Sequence, residues 1–315
     1  MATILSSFAE TRNVLKGRGI ELSESAIREI AVRYARRAEA CLQLNDSVIQ
    51  ESVSGRRVVI STDGGRIRIR KNKRGPKTEK GRNRYHTEWK EPKLLIIYTV
   101  NEDGTIDKSF SPFINGTMKG PDTVFGLIAY YLEQLDICKA DKILFVADGA
   151  RWIWNRVSEM MVALGVELSK FYELVDFYHA VEHLGKVAEL RRKWKKPEKK
   201  RWVTKHRRLL LNGKIADVIA SIRTLCRGRC SAELRRERNY FAINQHRMNY
   251  SFISDKGLPI GSGAMESAVR RVVNLRLKGA SIYWLKETAE AMLLLRSYYK
   301  VGRWNMLVKM VFYIS

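Results

Sequence analysis

Three carboxylates stand where the sequence could support chemistry. Asp63 closes a β-branched run in STDGGR, Asp148 closes an apolar run in VADGA, and Glu266 follows GSG at the start of a helical segment. A carboxylate at a strand end projects from the rim of a sheet, where neighbouring strand ends converge. A nearby helix can bring a third to the same place. Such a cluster repels itself unless a hard cation sits among the oxygens, and Mg²⁺ favours oxygen ligands while keeping several waters. Two such ions about 4 Å apart clamp the attacking and leaving oxygens of a phosphodiester displacement. They also offset charge in its transition state. A plainer reading competes: Asp-Gly after a strand is most often a turn, and Asp63-Gly64-Gly65 suits a hairpin.

Other side chains fit the same chemistry. In Asp176-Phe177-Tyr178-His179 the histidine is a candidate donor to a scissile phosphate or its leaving group. Asp176 equally reads as a helix N-cap, with His179 and His183 one turn apart. Histidines at that spacing can bind zinc, but no cysteine or third ligand stands nearby. Glu266, Arg270 and Asn274 are four apart and would share one helix face, so Arg270 could fork onto a phosphate or simply form a helix ion pair. Ser262 lies between Gly261 and Gly263, where a DNA backbone could approach closely; a plain helix cap is the alternative.

The elements that must position these groups follow from periodicity. Residues 1–50 read as two amphipathic helices, the first stopping at Gly17 and Gly19, the second capped by Ser23 or Ser25. They resemble half of a helix-turn-helix, or a helical cap on the next domain. RVVIST, the alternating RIRIR (66–70) and KLLIIYTV (93–100) read as three strands of an antiparallel meander. A helix from Pro121, the strand KILFVADG, a helix closed by Gly165 and a strand turning into a helix near Asp176 follow. Residues 177–262 carry no convincing strand. A helix from Ala264 to Gly279 and another over 287–299 end the chain. Three antiparallel strands and then βαβ units give an α/β fold with a ribonuclease-H-like mixed sheet, interrupted by an all-helical insertion. The expected parts are 1–50, 51–176, 177–262 and 263–315.

Composition narrows the partners. The 315 residues carry 58 Lys and Arg against 33 Asp and Glu, a net charge of +25, with 45% hydrophobic residues. That is enough apolar material for a core, and the charge excess calls for a polyanion, nucleic acid first. Between 186 and 208 there are 12 Lys or Arg in 23 residues, including Lys195, Lys196 and Arg201. Between 66 and 93 there are another 12, including Arg66 and Arg68, with Tyr85 and Trp89 interleaved. These are the candidate DNA contacts. Four scattered cysteines exclude a disulfide framework. No secretory signal or membrane-length apolar run is present, so a cytoplasmic, nucleoid-associated location is expected.

STDGGRIRIR, EPKLLIIYTV, VADGARWIWNRV, LVDFYHAVEHLG, GSGAMESAVRRVVNLRLKGA and WLKETAEAMLLLR, followed by GRW, resemble the ISKra-type family of bacterial insertion-sequence transposases, within the mutator-like group. The match runs from about residue 62 to 304. The resemblance implies a DDE-type transposase with a ribonuclease-H-like core and a helical insertion. It would use Mg²⁺, with Mn²⁺ substituting, to cut element ends and join a 3′-OH to target DNA. Its catalytic and metal-binding acids would be Asp63, Asp148 and Glu266. His179 would serve in catalysis, and Asp176 would complete the acid-x-x-His pattern. Pairing of two ends implies at least a dimer on DNA. Only 62 residues precede Asp63, fewer than is usual in the family, which leaves terminal-repeat recognition open. The rival readings are a ribonuclease-H-like nuclease or resolvase that only hydrolyses, and an inactive DNA-binding derivative.

Overall fold

Serines open the first two helices. Ser7 Oγ accepts the Glu10 N–H at 2.9 Å and starts α1 (Phe8–Lys16), and Ser23 Oγ accepts the Ala26 N–H at 3.1 Å at the head of α2 (Glu24–Gln43). The computed structural model of the chain describes residues 1–43, 49–79, 81–226, 228 and 230–312. The apolar stripe of α2, with Ala31, Ala35, Ala38 and Leu42, is buried. It packs on two helices from the chain's end, α11 (Lys286–Lys300) and α12 (Trp304–Phe312). The N-terminal segment is therefore a layer on the C-terminal helices.

Apolar runs produce the main sheet. β1 (Arg57–Gly64) is followed by β2 (Ile67–Asn72), β3 (Tyr85–Lys90), β4 (Lys93–Val100) and β5 (Phe113–Thr117). After α3 (Pro121–Gln134), with its proline in the first turn, come β6 (Lys142–Ala147), α4 (Arg151–Ala163) and β7 (Phe171–Val175). Five strands form a mixed sheet in the order β5-β4-β1-β6-β7. β1 pairs antiparallel with β4, and β4 with β5; β6 is parallel to β1, and β7 to β6. Every residue of β4 is buried, which requires cover on both faces. α3 packs on β4 and β5, and α11 packs on β5.

The hairpin expected at Asp63-Gly64-Gly65 does not form. β1 runs on to Gly64 and pairs with β4 as far as Gly64↔Lys93. RIRIR leaves the sheet as β2 and pairs with β3 in a separate two-stranded ribbon. The third antiparallel strand of the main sheet is β5, not RIRIR. Its Asn115-Gly116 reads as a turn but lies in the ladder, where a Cβ on Gly116 would sit 3.0 Å from the Lys93 carbonyl.

The strandless stretch is helical as read: α5 (Phe177–Glu189), α6 (Lys196–Leu211), α7 (Ile215–Leu225), α8 (Ala232–Asn244) and α9 (Tyr250–Asp255). Pro197 separates α5 from α6 by lying in the first turn of α6. α6 and α8 both pack on α5. α10 (Gly263–Val269) packs on β1 and β4 and passes into a π-helical turn, Arg270–Asn274. That turn, closed by Leu275 N–H to the Arg270 carbonyl at 3.0 Å, replaces the helix expected to reach Gly279. α11 (Lys286–Lys300) and α12 (Trp304–Phe312) complete the chain. Arg296 on α11 is 2% exposed and donates to the carbonyls of Val272, Thr3 and Arg271, joining the π turn to the chain's start. No helix among the described residues is long and apolar enough to cross a membrane.

Candidate active site

Strand register gathers the acids. β1 and β6 run parallel with Ile60 opposite Phe145. Continuing that register by three residues sets Asp63 opposite Asp148. β6 and β7 are in register at Ala147↔Val175, so the next pair is Asp148 and Asp176. Three aspartates thus leave three adjacent parallel strands at the same rim.

Each is held differently. Asp63 is half-buried and its Oδ1 accepts the Gly64 N–H at 2.6 Å. Burial pushes its pKa up; the nearby Asp148 and Glu91 carboxylates push the same way, while the Gly64 N–H and His179 oppose them. Asp148 Oδ1 accepts the Ala150 N–H at 3.0 Å, and its carbonyl accepts the Trp154 indole N–H at 2.7 Å. Trp152 and Trp154 pack the rim edge-on to Phe125 and Phe145. Asp176 is 2% exposed. It caps α5 by accepting the His179 N–H at 2.8 Å, and its other oxygen accepts the Ser262 N–H. With Phe177 N–H bonded to the Ile260 carbonyl, this ties the head of α5 to the lead-in of α10.

His179 and Asp148 are therefore both electrostatic neighbours of Asp63. Glu266 lies in the first turn of α10, on β1 and β4, with its side chain exposed. Among the described residues no three His, Cys, Asp or Glu side chains form a group able to hold a metal ion. Ser262 contributes its backbone; its side chain makes no cap bond. Arg270 and Asn274 are exposed at the two ends of the π turn. Lys195, Lys196 and Arg201 are exposed around the start of α6; Arg66 is exposed, and half-exposed Arg68 donates to the Gly279 carbonyl at 2.6 Å.

Several residues of the site were not visible in the sequence. Glu91 lies against Gly64, where an added Cβ would be 2.2 Å from its Oε1; it pairs with Lys93 at 2.7 Å. Lys93 Nζ in turn sits 4.1 Å from the centroid of the Trp152 ring. Only the β1–β4 register could have found Glu91. From the helical insertion, Tyr240 on α8 closes on Gly149, where a Cβ would meet its ring at 2.4 Å. Tyr240 stacks on His183 at 3.6 Å, and His183 Nδ1 lies 2.5 Å from Glu237 Oε2. Burial lowers the His183 pKa against the pull of Glu237, so the neutral ring donates its Nδ1–H to that carboxylate. The Tyr240 hydroxyl is buried without a hydrogen-bond partner among the described residues, and its pKa is pushed up by burial and by Asp148, Asp176 and Glu237. No periodicity marked these contacts, because they join elements far apart in the chain. A cavity of about 630 Å³ between α2, β5, α3 and α11 is lined by none of these acids.

No protein-family model matches the chain, and no curated protein matches it either.

Proposed function

We propose that this chain is a DDE-type transposase of the ISKra-type insertion-sequence family, with a ribonuclease-H-like core. The observation that carries the reading is the meeting of Asp63 and Asp148 at the ends of adjacent parallel strands, with His179 beside them. Three antiparallel strands flanked by two parallel ones, with the ribbon as an excursion, agree with such a core. So do the motifs around Asp63, Asp148, Asp176 and Glu266.

A divalent cation suits the pair. The Asp148 carboxylate makes Asp63 harder to ionise, and the pair has hard oxygen donors, the type that Mg²⁺ or Mn²⁺ prefers. Asp63 and Asp148 would hold the ion, with Glu266 joining from α10. Once bound, the ion supplies positive charge to the phosphate oxygens and makes the attacking hydroxyl more acidic. His179, at the head of α5, donates to a non-bridging phosphate oxygen or to the leaving group. Asp176 positions it through its backbone. Arg270 and the basic residues Arg66, Arg68, Lys195, Lys196 and Arg201 bind DNA phosphates, and the enzyme works as at least a dimer across two element ends.

The test is cleavage and strand transfer on a plasmid carrying the element's ends. Activity is expected with Mg²⁺ or Mn²⁺ and not with Ca²⁺. Asp148→Asn should lower it at least about 10²-fold with little change in DNA affinity. Equal nicking by the variant overturns the proposal. Cleavage with no strand transfer would point instead to a hydrolytic nuclease.

A further inference from the structure

The β2–β3 ribbon begins at Ile67, four residues after Asp63, and its two faces differ. Inward, Ile67 and Ile69 are buried. Trp284 pins that side: its N–H donates to the Arg68 carbonyl at 2.9 Å, and its carbonyl accepts the Arg70 N–H at 2.8 Å. Outward, Arg68 lies across from Trp89, and Asn72 from Tyr85. The guanidinium groups of Arg66 and Arg68 stand 5.4 and 5.6 Å from the Trp89 ring centroid. Arg68 is also 4.7 Å from the Tyr283 ring, and Arg70 is 5.3 Å from that of Tyr85. Cations and rings thus alternate along one face, yet Trp89 is 51% exposed and Tyr85 43%.

At the foot of this face lies a cavity of about 500 Å³, bordered by Ser6, Arg28, Arg70, Arg276 and Tyr283. Arg276 is 4% exposed, held between the rings of Phe8 and Trp284, and its Nε and Nη2 have no hydrogen-bond partner among the described residues. Burial brings its pKa down to about 10, so it stays charged at neutral pH. Glu10 supplies counter-charge to Arg276 but leaves Nε and Nη2 unbonded, and an arriving phosphate would take those two donors. Arg70 and Tyr283 belong to both the cavity and the outward face, so the two form one surface.

We propose that the ribbon and the cavity at its foot bind single-stranded DNA, with unpaired bases stacked on Trp89 and Tyr85 and phosphates against Arg66, Arg68 and Arg70. Arginines alone would serve a duplex, whose bases are already stacked. Exposed ring faces beside them gain only from bases that are free. Same-face side chains on a strand recur about every 6.7 Å, roughly twice the 3.4 Å rise within a duplex strand, so DNA following the ribbon must be unstacked. The proposal deepens the nucleic-acid reading above and rests on it.

Fluorescence anisotropy of the full chain with a labelled oligo-dT of about 15 nucleotides, its duplex and the matching oligo-U tests this directly. Trp89→Ala should weaken single-strand binding about 10-fold and duplex binding less than about 2-fold, and Trp89→Phe should restore most of the loss. Because the ring is half exposed, the variant should melt within roughly 2 °C of the wild type. Equal loss on single strand and duplex, or loss on neither, overturns the ribbon assignment while duplex binding keeps the wider reading. Tighter binding to oligo-U than to oligo-dT overturns DNA as the partner. A wild-type chain that binds no form at low salt overturns both.

Discussion

The five-stranded sheet and the two-stranded ribbon are joined at Gly64 and Gly65 but built by opposite means. All eight residues of β4 are buried, whereas five of the six in β3 are exposed. The sheet holds its shape by burying apolar side chains on both faces and carries acids at its rim. Among the described residues the ribbon is held by Ile67, Ile69, the backbone of Trp284 and the Arg68 bond to the Gly279 carbonyl, and its other face is left to arginines and rings. Stability and presentation are therefore divided between two structures that share one turn of chain.

The sharpest way to break that division is to truncate one residue of each to alanine. Ile96 in β4 is 1% exposed; Ile96→Ala should cost about 2–5 kcal/mol. Thr87 in β3 is exposed; Thr87→Ala should stay within about 0.5 kcal/mol. Urea unfolding of both variants is the measurement. A comparable loss from Thr87→Ala would mean that the ribbon belongs to the cooperative core.

The same contrast explains what the sequence disclosed. β1, β4, β6 and β7 are apolar runs, so their burial is written in residue type. α5 and the helical stretch after it follow from periodicity and from Asp176 as a cap. β3 alternates Tyr85, Thr87 and Trp89 with His86, Glu88 and Lys90, a strand signal masked by the basic stretch around it; pairing with β2 makes it a strand. β5 is hidden by Asn115-Gly116, whose turn chemistry loses to the ladder with β4 and to a bond from Asn115 Nδ2 to the Tyr131 hydroxyl at 3.0 Å. The π turn after α10 left no mark either, since it depends on Arg296 reaching the carbonyls of Arg271 and Val272 from another helix. At the candidate site Asp63, Asp148 and Asp176 were legible from strand ends, while Glu91 and Tyr240 required knowledge of who packs on whom.

If the sheet's rim is structural as well as chemical, Asp176 should matter more than any ribbon residue. It accepts backbone N–H groups from both α5 and the loop before α10. Asp176→Ala leaves both donors without their acceptor and should cost about 2–4 kcal/mol, with Asp176→Asn losing less because one carbonyl oxygen remains. Chemical denaturation would measure it. A cost below about 0.5 kcal/mol would show that water replaces the carboxylate and that the two elements are not tied there.

Gly149 sharpens the comparison by steric means. A Cβ there would collide with the Tyr240 ring, whereas one on Gly185 in α5 would meet nothing within 4 Å. Gly149→Ala should cost about 1–3 kcal/mol through overpacking, and Gly185→Ala should gain about 0.5–1 kcal/mol from helix propensity. Adding Tyr240→Leu should recover part of the Gly149→Ala loss, a coupling that distant sites would not show. Opposite signs for the two glycines are the expected result by thermal melting.

The smallest expected effect concerns charge at the rim. Burial and the neighbouring Asp148 raise the Asp63 pKa above its unfolded value. For a carboxyl shifted upward, the folded state holds the proton more tightly. Its stabilising contribution is complete below about pH 4, the unfolded value, and is lost as pH rises through the folded pKa. Asp63→Asn is uncharged throughout and escapes that loss. The variant should match the wild type in acid and melt higher at neutral pH, by on the order of 2 °C, with the gap opening between the unfolded and folded pKa. Mg²⁺ should narrow the gap by stabilising only the wild type, whose rim pair can hold it. A variant that melts lower at neutral pH would mean that the bond from Gly64 N–H to Asp63 outweighs burial and repulsion together. The rim acids would then support the fold, and a cation would no longer be needed to balance them.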